Sequence, residues 1–145
     1  MNESFDAVAT VTVDAPPGAV WKALTTPELI SRYLHDTQVD TDWKVGSPIT
    51  WSGVWDGKPY QDKGEILAYE PRRLLRTTHW SPMSGMLDEP ENYHVVTYQL
   101  DERDGQTTVT LTQSNNPSQE AADNVVDKGW RPILEGLKQV AEEQT

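Results

Sequence analysis

Histidine is the side chain whose charge changes near neutral pH, and three are present, His35, His79 and His94. His79 closes a strand-like stretch beside Trp80, and His94 opens the next stretch across a loop. The two could therefore approach each other at one end of a sheet and act as acid or base. His35 follows a short helix. No carboxylate is fixed beside any of them by spacing alone, so His79 and His94 are candidates for catalysis without an evident partner. Glu65 and Arg76 fall on adjacent strands and are expected to form a cross-strand ion pair at the surface. Metal binding is not expected, because His and acidic residues do not recur at ligand spacing. A phosphate-cradling glycine loop, a nucleophile elbow and a Ser/His frame are missing as well, and no cofactor is implied.

Aromatic residues are the second chemical resource, with six Trp and five Tyr. Trp51 and Trp55, four apart, share one face of a strand, Tyr98 faces inward with Val96 and Leu100, and Trp130 precedes Leu134 by one helical turn. Such rings either plug a core or form flat apolar walls, with an indole N–H or phenol O–H left to orient a small aromatic ligand. The loop SPMSGMLDEPEN, residues 81–92, offers Met83 and Met86 as an adaptable gate. The candidate ligand-binding residues are therefore Trp51, Trp55, His79, Trp80, Met83, Met86, Tyr98, Trp130 and Leu134.

These side chains must be held by elements that the sequence also marks. FDAVATVTVD, residues 5–14, alternates apolar and polar positions as a strand with one buried face. Pro16 and Pro17 suit a helix start, giving a helix over 17–25. Pro27 then removes an N–H and holds Thr26 extended, so a second short helix covers 27–34 with Thr26 as its N-cap. Six further strands are expected at 37–43, 48–56, 60–70, 73–80, 93–101 and 106–114, joined as hairpins in which Asp56-Gly57 and Asp104-Gly105 are the strongest turn signals. After Asn116-Pro117-Ser118, apolar residues from Ala122 to Val140 recur at helical spacing. This long helix is expected to bend near Trp130, where Gly129 and Pro132 interrupt it.

The chain of 145 residues has the size of one domain and is expected to be one over 1–145. Its 12 basic and 23 acidic residues give a formal charge of -11, which argues against nucleic acid or an anionic membrane surface as partner. Lack of cysteine and of a basic, apolar start fits a cytoplasmic location, with a monomer as the default.

The order strand, two short helices, six-stranded meander, long helix is the helix-grip arrangement. TVDAPPGAVWKALTTPELISRYL at 12–34, WKVGSP and DGKPYQDKGEILAYEPRRLLRTTHW within 43–80, VVTYQLDERDGQTTVTLT at 95–112, and Gly129-Trp130 before ILEGLK carry a resemblance. They resemble the family related to the activator of the ninety-kilodalton heat-shock chaperone's ATPase, within the START-like (SRPBCC) superfamily. The resemblance implies an α+β fold of the START-like/Bet v 1-like type, with about seven antiparallel strands curved round the C-terminal helix. It departs from the pattern at Ser47, where many members have a second Gly, and at Tyr33, where Trp is frequent.

Three functions are compatible with this resemblance. The first is binding of a small hydrophobic or aromatic molecule between sheet and helix. Second is a cyclase- or dehydratase-like enzyme using the same cavity with His79 or His94, ranked lower because paired acid and base are missing. A co-chaperone that docks on a protein partner is the third.

Overall fold

Pro27 divides the chain where its chemistry requires. In the computed structural model, which describes residues 5–144, α1 (Pro17–Thr25) ends at Thr26, whose φ of -109° and ψ of 112° are extended, and α2 (Pro27–Tyr33) starts at once. The Thr26 carbonyl accepts the first bonds of α2 from Leu29 and Ile30, both at 2.9 Å, whereas its hydroxyl makes no cap bond.

Seven strands follow the expected meander: β1 (Phe5–Val13), β2 (Gln38–Thr41), β3 (Pro48–Trp55), β4 (Lys58–Glu70), β5 (Leu74–His79), β6 (His94–Arg103) and β7 (Gln106–Asn116). They form one antiparallel sheet in the order β1-β7-β6-β5-β4-β3-β2, so β1 and β2 are its edges. β2 is shorter than the sequence suggests because Trp43, with φ of 58°, turns the chain out of the strand. The two Asp-Gly turns behave as their residues demand: Asp56 and Gly57 have φ of 52° and 77°, and Asp104 and Gly105 have 55° and 82°. Paired positive φ values suit a tight hairpin to the twist of its strands.

The last element has three parts, α3 (Gln119–Val125), a π-helical turn (Val126–Trp130) and α4 (Arg131–Glu142). Ser118 caps α3 by accepting from the Ala121 N–H at 3.0 Å. Pro132 has no N–H to continue an α-helical ladder, and the Arg131 N–H reaches back five residues to the Val126 carbonyl. The interruption thus falls beside Trp130, at the expected place. Val20, Ile66, Val109, Leu111, Leu134 and Leu137 form the fully buried centre between helices and sheet. Among the described residues, no helix is long and apolar enough to cross a membrane.

Candidate functional site

Between the sheet, α2 and the C-terminal helical segments lies a cavity of about 340 Å³. Period-two alternation places its walls: β3 contributes Ile49 and Trp51, β5 contributes Leu75, Thr77 and His79, and β6 contributes Val96 and Tyr98. Tyr33 closes it from α2, and Val125, Trp130 and Ile133 close it from the C-terminal segments.

The polar groups in this apolar space are few and specifically placed. Asp62 on β4 holds His79 on β5, with Oδ2 3.0 Å from Nε2. The backbone pairing of Lys63 with Trp80 sets Gly64 opposite His79, so Asp62 and His79 are diagonal partners. Trp51 presents its ring edge-on to His79 with centroids 5.0 Å apart. The other carboxylate oxygen of Asp62, Oδ1, is buried without a hydrogen-bond partner among the described residues.

A second cluster joins β7, β6 and the π turn. Trp130 Nε1 donates to Gln113 Oε1 at 2.6 Å, and its ring stands edge-on to Tyr98 at 6.5 Å. Burial pushes the phenol of Tyr98 well above its ordinary range, and burial followed by the neighbouring Tyr98 does the same for Tyr33. Both are neutral donors at physiological pH. Tyr33 spends its hydroxyl on the Ala23 carbonyl at 2.8 Å, whereas the Tyr98 hydroxyl has no hydrogen-bond partner among the described residues. Tyr60 and Thr37 share a 2.6 Å bond between hydroxyls, with the Tyr60 ring packed over Gly53.

Of the residues singled out in the sequence, Trp51, His79, Tyr98 and Trp130 come together on the cavity walls. Trp55 does not: it is 54% exposed, and its ring meets His35 at 5.7 Å. Trp80 stacks on Tyr93 beneath the Lys63 ammonium, outside the cavity. Met83 and Met86 are each 54% exposed, and Leu134 is 1% exposed, packed in the core rather than lining the space. His94 stands opposite His79 in register, yet its Nδ1 lies 2.7 Å from the Ser114 carbonyl, and it is not a wall residue. The expected Glu65–Arg76 ion pair does not form: Arg76 Nε donates to Thr97 Oγ1 at 3.1 Å instead.

Sequence spacing missed Asp62, Tyr60, Thr37 and Gln113 as wall residues. The signal for Asp62 was present, since it follows Tyr60 by two on β4 and pairs with Trp51 on β3. A second hollow of about 380 Å³ opens on the other side of β4, between Lys63, Glu65, Thr78 and Tyr93. Within it Lys63 pairs with Asp88, and Asp88 accepts from the Tyr93 hydroxyl.

A family model described as "Activator of Hsp90 ATPase homolog 1-like protein" matches residues 14–142. The chain belongs to this family. A solution structure of the protein ChR145 from Cytophaga hutchinsonii is 42% identical, with a TM-score of 0.84 and coverage of 99% of this chain and 98% of that one. The crystal structure of protein MLL2253 from Mesorhizobium loti is 28% identical, with a TM-score of 0.76 over 97% and 98% of the two chains. Ara h 8.0201, at 14% identity and a TM-score of 0.74 over 97% of this chain and 99% of that one, shares the fold alone. No curated protein matches the chain. The Hsp90-activator-homologue family and its START-like, Bet v 1-like architecture are thus those that the sequence resembled.

Proposed function

We propose that this member of the family is a single START-like domain that binds a small, largely apolar molecule in the cavity between the curved sheet and the C-terminal helical segments. One observation carries it: a space of about 340 Å³ is walled by Trp51, Val96, Tyr98, Trp130 and Ile133, with His79 and Tyr98 as polar groups at separate points. Aromatic walls with a few placed polar groups are what small-molecule sites use, because apolar burial supplies affinity and polar contacts fix orientation. The six Trp do not fill the space: Trp55 and Trp80 lie elsewhere, which supports an open cavity over a plugged core.

Titration with 2-methoxynaphthalene, a neutral apolar probe, tests this by two-dimensional NMR. Saturable shifts of the Trp51 and Trp130 indole signals are expected, with those of Trp55 and Trp80 unmoved. Val96→Trp, which fills the space, should abolish them. Wild-type protein whose indole signals stay fixed at saturating probe would sink the proposal.

A further inference from the structure

His79 and Asp62 supply what a proton acceptor needs beyond a histidine. The carboxylate at 3.0 Å selects the tautomer with its proton on Nε2, leaving Nδ1 with a lone pair. Nδ1 makes no hydrogen bond among the described residues, and His79 is a wall residue. The titratable groups around the ring are Asp62 from β4 and His94 from β6, the latter engaged with the Ser114 carbonyl; Trp51 from β3 covers the ring with an apolar edge.

Besides Asp62 Oδ1, the Tyr98 hydroxyl on the cavity wall has no hydrogen-bond partner among the described residues. Leu75 pairs with Tyr98, and His79 lies four residues farther along β5, which separates the two backbone positions by about 13 Å along the strands at roughly 3.3 Å per residue. Both side chains line the same cavity, so a small ligand with a polar group at each end has a partner on each side.

Resting on the binding function above, we infer that the cavity takes a small phenol or enol carrying a hydrogen-bond acceptor at its far end, and holds it as its anion, with His79 taking the proton. The ligand's O–H bond breaks and its electron pair stays on oxygen. A new N–H bond forms at Nδ1, the Nε2 proton stays on Asp62's side of the ring, and nothing is oxidised or reduced. The imidazolium then lies between two anions, and both hydrogen bonds to it are charge-assisted, which offsets the cost of charge in an apolar site. Half-buried on the cavity wall and neutral, Tyr98 donates to the far acceptor. The formal charge of -11 disfavours approach of a preformed anion, so the neutral acid enters and ionises inside.

4-Nitrophenol is the probe, since its phenol is the acid, its nitro group the acceptor, and its anion has a separate visible absorption band. At a pH one unit below the free phenol's own pKa, bound probe should show at least a tenfold rise in the ratio of anion to neutral form, with a shift of the His79 imidazole signals. Asp62→Asn should lose most of that rise, and His79→Gln all of it. If the wild-type indole signals respond to 4-nitrophenol while the anion band stays at its free level, this inference fails and cavity binding stands. Equal anion formation by well-folded Asp62→Asn also overturns it. If neither 4-nitrophenol nor 2-methoxynaphthalene moves the indole signals, both fail together; should a variant not fold, the wild-type band alone decides.

Discussion

Gly64 passes so close to Thr78 that a Cβ at position 64 would lie 1.8 Å from the Thr78 carbonyl oxygen. The atom it would strike is backbone in the neighbouring strand, which a rotamer change cannot relieve. Gly64→Ala must separate β4 from β5, at a cost of about 3 kcal/mol, the upper end for overpacking. Urea unfolding should show the loss. The same change should displace Asp62 from His79, read as altered imidazole signals in the folded fraction.

Gly136 plays a similar part against α2, where an added Cβ would sit 2.7 Å from the Tyr33 Cβ. Gly136→Ala is expected to destabilise by about 1–3 kcal/mol. Gly129→Ala is the contrast: its Cβ would meet Val125 Cγ2 at 3.7 Å, an ordinary contact. Its effect should lie within about 1 kcal/mol of zero, because helix propensity then favours Ala. Equal losses at the two glycines would contradict this packing.

Much of the fold was legible because its signals are local. Pro27 ends one helix and starts another whatever surrounds it, and the two Asp-Gly pairs fix hairpins through their own φ angles. The site was less legible. Trp51 and Trp55 do share a strand face, yet Trp55 lies at the hairpin end, past the wall, where alternation gives no warning. Asp62 and His79, 17 positions apart, meet only through the register between β4 and β5, which a bulge between Ile66 and Ala68 helps set. No spacing rule sees a diagonal contact of that kind.

Trp130 and Gln113 make a bond whose loss should be asymmetric. Trp130→Phe keeps a ring against Tyr98 but leaves the buried Gln113 amide without its donor, at about 1–3 kcal/mol. Adding Gln113→Leu should recover part of that loss. A double variant no more stable than Trp130→Phe alone would show that the bond is not what holds the pair.

Alkaline titration should separate the tyrosines. The folded-state values of Tyr33 and Tyr98 are raised above the ordinary value of 10.0, so the unfolded chain releases these protons first. Their stabilising contribution is whole below about pH 10 and falls as pH rises further, by about 1.4 kcal/mol per pH unit for each tyrosine. Phenolate absorbance should appear together with unfolding for these two. Full ionisation of all five tyrosines in a still-folded protein would contradict their burial.

An open sheet leaves two rows of unpaired backbone groups, and this chain ends its sheet at β1 and β2. β2 exposes only four residues, with Asp40 in it and Asp42 just beyond, too short and too charged to recruit a strand from another molecule. β1 is nine residues long and carries exposed Val8, so it is the edge at which concentrated protein would begin strand-to-strand aggregation. A lysine at position 8 should therefore raise solubility without touching the cavity.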